Sequence, residues 1–252
     1  MENTIVLTKK GVSKVDRLDK ILANLGYGTR KEIKSIIKNG EIKINGAVVK
    51  DNSVKINPYE CSIEISGENV DYKKYIYILM NKPCGVVSAT FDNFDETVID
   101  ILEPKYQSFK PFPVGRLDKD TRGLLIITND GKLNHRLISP RSHVDKVYYA
   151  EIDRPLNESD VDKFGKGIVL KDGYKCMSAA LHIMESTQDG SRAEVTVQEG
   201  KFHQVKKMFN SLGKNVVYLR RIRFGPIKLE DSLEEGEYRE LSKEEIESIK
   251  KI

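Results

Sequence analysis

Gly115-Arg116-Leu117-Asp118-Lys119-Asp120-Thr121-Arg122-Gly123-Leu124-Leu125-Ile126-Ile127-Thr128 runs from a cluster of charges into an apolar strand, and it stops at the turn Asn129-Asp130-Gly131. In an extended or turn-like 116–120, Arg116, Asp118 and Asp120 share one face, because strand side chains alternate. A carboxylate then lies beside a guanidinium suited to phosphate. The plainer reading is a charged surface turn whose acids bond backbone amides. The segments around it decide between the two.

Upstream, Tyr75-Ile76-Tyr77-Ile78-Leu79-Met80 is apolar and β-rich, which predicts an inner strand, and Asn81-Lys82-Pro83-Cys84-Gly85 forces a turn before a second strand over 86–90. Further strands are expected at 123–128, 147–152, 176–184 and 193–197, and helices at 131–138, 158–165 and 203–212. Strands outnumber helices and do not alternate with them. Residues 75–252 therefore read as an α+β domain with a largely antiparallel mixed sheet.

The N-terminal part reads as a separate module. Leu18, Ile21, Leu22 and Leu25 recur at helical spacing before Gly26 and Gly28. Thr29 with Glu32 three residues on is a capping box, and Gly40 follows the last turn of the second helix. Ile33, Ile36 and Ile37 form its apolar stripe, while Lys31, Lys34 and Lys38 line another face. Ile42-Lys43-Ile44, Asn45-Gly46 and Ala47-Val48-Val49 spell a hairpin with a type I′ turn. Residues 15–60 are thus one unit, 61–74 the expected linker and 1–14 an expected mobile tail.

Charge is segregated along the 252 residues. Residues 17–50 hold 8 Lys and Arg against 3 Asp and Glu, and residues 201–229 hold 8 against none, on a chain whose formal net charge is only +4. Two basic segments on a nearly neutral chain point to a polyanion bound by particular surfaces. Three widely spaced cysteines suggest neither a disulfide framework nor a zinc site. No membrane span or signal peptide is read, so the expected location is the cytoplasm and no membrane partner is implied.

Two helices with a basic face followed by a hairpin resemble the S4 RNA-binding domain, on Arg17-Leu18-Asp19-Lys20, Thr29-Arg30 and Val48. By that resemblance Arg30, Lys31 and Lys34 are candidate RNA contacts. Met80-Asn81-Lys82-Pro83 with Gly85, Gly115-Arg116-Leu117-Asp118 with Thr121, Gly123 and Leu124, Lys146 with Tyr148, and Gly200-Lys201-Phe202-His203-Gln204-Val205-Lys206-Lys207-Met208 resemble, in order, the RsuA/RluB-type pseudouridine synthases. Gly225-Pro226 and Gly236-Glu237-Tyr238-Arg239-Glu240-Leu241 extend the match. Phe202 and Lys207 stand where the family more often has tyrosine and arginine.

The resemblance implies roles. Sequence alone leaves Asp118 and Asp120 open; the family motif places the catalytic aspartate at Asp118. Arg116 corresponds to the arginine that fills the space left by an extruded nucleotide, its alternative being a structural ion pair with Asp118 or Asp120. Tyr148, two residues after Lys146, corresponds to the tyrosine stacked on the target base. Lys206 corresponds to the basic partner of the catalytic carboxylate, with phosphate contact as its rival role. His203, Gln204 and Lys207 are candidate RNA contacts on the same basic segment. The implied activity is cofactor-free isomerisation of a uridine in ribosomal RNA, 16S by the His-Gln-Val-Lys form of the motif, as naked RNA or in an assembling small subunit. The rivals are a 23S enzyme of the same family and a non-catalytic rRNA-binding or ribosome-assembly factor. Nothing in the sequence demands more than a monomer, and no metal ligand set is read.

Overall fold

The structure, a computed structural model, describes residues 15–252; the expected tail 1–14 lies outside the described residues. The described chain divides into two compact units, one holding residues 15–74 together with 103–110, the other holding 75–102 and 111–252.

In the small unit, β1 (Asp16–Arg17) leads into α1 (Leu18–Asn24) and pairs with β4 (Lys55–Ile56). α2 (Arg30–Asn39) begins at the expected capping box, with Thr29 N donating to Glu32 Oε2 at 2.7 Å, and ends at Gly40 with φ +80°. β2 (Ile42–Ile44) and β3 (Ala47–Val48) form the expected hairpin; Asn45 and Gly46 both take the positive φ that a type I′ turn requires. Residues 61–74 are not a linker. β5 (Ile63–Ile65) and β6 (Glu68–Asn69) continue the sheet beyond β2, in the order β3-β2-β5-β6. The reason is burial: Ile63 joins Leu18, Leu22, Ile33, Ile37 and Ile42 in one apolar core, which a two-stranded hairpin alone would leave open. The short helix α3 (Pro104–Gln107) lies in the 103–110 segment that belongs with this unit, not with the 75–252 domain expected from sequence.

The large unit is built on a nine-stranded sheet. Its strands are β7 (Tyr77–Lys82), β8 (Phe112–Pro113), β9 (Arg122–Thr128), β10 (Lys146–Ile152), β11 (Ala180–Thr187), β12 (Gly190–Val197), β13 (Val216–Phe224), β14 (Ile227–Lys228) and β15 (Tyr238–Glu240). The main path is β11-β12-β10-β13-β9-β7-β15, with β14 on β13 and β8 on β9. Among the described strands of this sheet only β13 and β9 pair in parallel, so the α+β, largely antiparallel expectation holds. α4 (Gly131–Ile138) and α7 (Lys243–Lys250) bury Leu133, Leu137 and Ile249 with Leu79, Leu124 and Ile126. α5 (Glu158–Lys166) and α6 (Gln204–Ser211) bury Phe164 and Phe209, ring centres 5.0 Å apart, with Ala150, Val195 and Leu219. None of the described helices is long and apolar enough to cross a membrane.

Three expectations change. The expected strand over 86–90 is only a bridge, Val87 to Thr97. The strand expected from 176 starts at Ala180, because Cys176 N and Ala179 N bond Ile168 O and Phe164 O beside α5. The basic segment 201–229, expected to serve a polyanion-binding surface, contains the central strand β13. Its Arg221 is 2% exposed and donates through Nε to Leu124 O at 2.7 Å, so one of those charges is structural.

The β9–β13 pairing depends on Gly123. Its φ is +101°, and an added Cβ would lie 2.3 Å from Arg221 O and 2.8 Å from Arg221 N. Gly123→Ala should therefore lower unfolding free energy by about 2–4 kcal/mol in urea titrations, from backbone strain together with overpacking. Gly67→Ala, at a positive φ with open space around it, should cost about 1 kcal/mol.

Candidate active site

Asp118 sits in a tight turn just before β9, with Thr121 N donating to Asp118 O at 3.0 Å. The turn is fastened from several sides. Ser88 Oγ donates to Leu117 O at 2.9 Å and accepts from Leu117 N at 3.0 Å, and Gly85 N donates to Lys119 O at 2.8 Å. Beneath it, the fully buried Lys82 donates through Nζ to Pro83 O (2.9 Å), Lys119 O (3.3 Å) and Thr121 O (2.9 Å). Burial pulls the Lys82 ammonium down to about 8, while the nearby Asp120 and Asp118 carboxylates draw it back up.

The side chains of this turn diverge as alternation requires. Lys119 reaches Asp95 at 2.5 Å, whereas Asp118 and Asp120 both face Lys206 on α6. Lys206 Nζ lies 3.6 Å from Asp118 Oδ2 and 2.5 Å from Asp120 Oδ1. The shorter contact is thus with the acid that the family motif does not select. The Lys206 hydrogen bond holds the Asp120 carboxyl below the usual carboxylate range, against a smaller opposing effect of burial. His203 Nε2 is 3.5 Å from Asp118 Oδ1, and Asp118 keeps 21% of its side-chain surface exposed. The carboxylate is therefore flanked by two basic side chains and still open to a reactant.

α6 is aimed by its first residues. His203 stands in the left-handed region at φ +55°, its ring stacked on Phe202 at 3.7 Å, and Lys207 lies 5.3 Å over the Phe202 ring. Gln204 behaves differently from the RNA contact expected of it. It is buried, with Nε2 bonded to Glu199 Oε2 at 2.8 Å and Oε1 accepting from Lys201 N at 3.0 Å, so its amide braces the Gly200-Lys201 turn. Glu199 also accepts from Tyr174 Oη and from Met177 N, and the Tyr174 bond pushes that phenol up to about 12.

Arg116, Asp118, Thr121, Tyr148, His203 and Gln204 line one open pocket, together with Glu199 and Leu219. Arg116 is exposed and makes no ion pair among the described residues, so the structural pairing considered for it does not form. Tyr148 packs against the α5–α6 core and faces the pocket, whereas Tyr149 points the other way, to Glu151 and Tyr218. Thr121 is 2% exposed, and its buried Oγ1 has no hydrogen-bond partner among the described residues. Arg30, Lys31 and Lys34 belong to the small unit, where all three are exposed on α2. Lys82 and Glu199 escaped the sequence reading as site-builders; the charge of Lys82 beside Pro83 in an apolar run was the available signal.

Residues 76–211 match the family model for RNA pseudouridylate synthase, and residues 16–58 match that for the S4 domain. An uncharacterised RNA pseudouridine synthase of Bacillus subtilis, YtzG, is 45% identical over 91% of this chain and 96% of its own. A ribosomal small subunit pseudouridine synthase A of Vibrio vulnificus is 39% identical over 92% of this chain and 99% of its own. A ribosomal large subunit pseudouridine synthase B of B. subtilis is 32% identical over 94% and 97%. A crystal structure of a pseudouridylate synthase superposes with a TM-score of 0.65 at 35% identity, covering 92% of this chain and 99% of that one.

The buried lysine gives the site a pH signature. Lys82 titrates at about 8 in the fold against an ordinary 10.5, so between these values the unfolded chain binds more protons and unfolding free energy rises with pH. Lys146, also lowered to about 8 by burial, acts in the same direction. From pH 8 to about 9.5 each should add roughly 1–2 kcal/mol. Burial of the Cys176 thiol, which raises it, acts in the opposite direction. Urea titrations of Lys82→Met across that window should show a smaller rise than the wild type by that amount; an unchanged slope would mean that Lys82 carries no lowered titration.

Proposed function

The chain belongs to the RNA pseudouridylate synthase family, an RNA pseudouridine synthase of the RsuA/RluB type with an S4 domain, and we propose that it isomerises a uridine of 16S ribosomal RNA through Asp118. The observation that carries this reading is the Asp118 carboxylate, fixed by its turn, flanked by Lys206 and His203, and open to the pocket that Tyr148 and Arg116 line.

A base inside a helix presents neither its C6 nor its sugar C1′ to a side chain, so the uridine must leave the stack, at about a few kcal/mol. Arg116, exposed and unpaired, is suited to enter the space it vacates, since a planar cation stacks and pairs with phosphate together. The Tyr148 ring receives the everted base. The Asp118 carboxylate adds to C1′ or to C6, the C1′–N1 bond breaks, the uracil rotates, and a C1′–C5 bond forms. The proton on C5 then leaves, with the Tyr148 hydroxyl as the proposed acceptor, N1 takes up a proton from the pocket or solvent, and the Asp118 bond is released. Uridine and pseudouridine are isomers, so no atom or electron is gained or lost. Lys206 supplies positive charge beside the attacking oxygen.

Exposed Arg30, Lys31 and Lys34 on α2 fit phosphate contacts, which add affinity without reading sequence. The 16S target rests on the small-subunit relative at 39% identity; the large-subunit relative at 32% supports the 23S alternative. A pure RNA-binding factor fits less well, since a binder of polyanion gains nothing from a carboxylate set among its cations.

Asp118→Asn should abolish tritium release from ribosomal RNA labelled at uracil C5, by more than about 10³-fold, and leave RNA affinity within a few-fold; full turnover would remove Asp118 from the mechanism. Mapping pseudouridine in ribosomal RNA of cells lacking the gene should show one position lost from 16S; a loss from 23S would move the target to the large subunit.

A further inference from the structure

Phe91 and Phe94 are 75% and 96% exposed, the two most exposed large apolar side chains among the described residues. Single exposed apolar residues are ordinary, but two aromatic rings three positions apart on one loop are not. The loop is well anchored. Asp92 Oδ1 accepts from Phe94 N at 3.0 Å and Asp95 N at 3.1 Å. Val87 N donates to Glu96 O at 2.9 Å and Val98 N to Val87 O at 3.0 Å, while Thr97, fully buried, donates through N and Oγ1 to Asp100 Oδ2. The rings are therefore held out by fixed backbone.

The same loop is joined to the catalytic turn. Ser88 is bonded twice to Leu117, Gly85 N to Lys119 O, and Asp95 pairs with Lys119 at 2.5 Å. Phe94 thus neighbours a residue whose carboxylate holds the residue after Asp118. None of the pocket-lining groups includes these rings, so the site already described does not account for them.

We propose that Phe91 and Phe94 form a stacking platform for unpaired bases beside the target uridine, a role that rests on the RNA-modifying reading above. Asp92, Asp95 and Glu96 make the loop unfavourable for phosphates and for anionic lipid, so what it offers an RNA is the ring faces. Every base has a complementary π-face, presented only when the base is unpaired. A second copy of the chain fits poorly: two phenylalanines bury about 300–500 Å², against roughly 800 Å² per partner in a stable interface. The loop thereby selects substrates whose target lies in a single-stranded or loosened region.

The test compares the full-length wild type with Phe91→Leu/Phe94→Leu, which keeps apolar surface without rings, and with Phe91→Ala/Phe94→Ala. Because both positions are exposed, the folds are expected to persist, and thermal melts check this. In tritium release from 16S and 23S transcripts, both double variants should raise KM about 5- to 100-fold, the range of one stacked base, with kcat changed less than about 3-fold. A single-stranded oligouridylate carrying one 2-aminopurine should be quenched by the wild type and not by either variant, and its duplex form by none. Unchanged KM and quenching in the variants, or Leu substituting fully for Phe, would overturn the platform. Self-association of the wild type in sedimentation that the variants lose would assign the rings to a protein contact instead and overturn it equally. Absence of wild-type turnover on both transcripts would contradict the proposed function, while the 2-aminopurine measurement would still decide the platform.

Discussion

A buried lysine ammonium bonded to three backbone carbonyls is the constraint on which the candidate site depends. Lys82 has no exposed surface, and an ion taken out of water is penalised by several kcal/mol unless its protons are all used. Here they are, on Pro83, Lys119 and Thr121, and two of those carbonyls belong to the turn that presents Asp118. That turn has no neighbouring strand to bond its backbone, so the lysine takes the strand's place. Ser88 fixes the turn on its N-terminal side through Leu117, and the parallel contact of Gly123 with Arg221 fixes it on the other. Asp118 is held between two clamps, one in the loop that follows β7 and one in the sheet.

Above this rigid base the charges are arranged more loosely. Lys206 stands between two carboxylates, closer to Asp120 than to Asp118, and the Asp120 side chain is 70% exposed. Ion pairs at that exposure contribute about 0–1 kcal/mol. His203, held in a strained left-handed conformation at the start of α6, adds a second basic group, its ring stacked on Phe202 and its carbonyl accepting from Lys207 N. Strain of this kind persists only where surrounding contacts over-determine it, and here they do.

Much of this was legible in the sequence. The capping box at Thr29, the Asn45-Gly46 hairpin and the apolar strand after Asp118 all follow from local rules, and the structure keeps them. What was missed shares a cause: the deciding partner lies far along the chain. Residues 61–74 looked like a connection because Ile63 and Ile65 are isolated between polar residues; only pairing with β2 makes them strands. Residues 216–224 looked like surface charge because Arg220, Arg221 and Arg223 dominate them, yet Arg221 is buried by its bond to Leu124, 97 positions away in sequence. Gln204 sits in a basic motif and reads as a ligand group, whereas a buried carboxylate five residues before it takes up its amide. The family likeness could name Asp118, but it could not show what holds it.

The proposed reaction turns on one oxygen atom and one nucleotide. A crystal structure of the full chain with an RNA that contains its target uridine would measure the relation directly. The base is expected out of its helix against the Tyr148 ring, with an Asp118 carboxylate oxygen about 3–3.5 Å from C1′ or C6. An everted uridine bound elsewhere, with Asp118 turned to solvent, would contradict it.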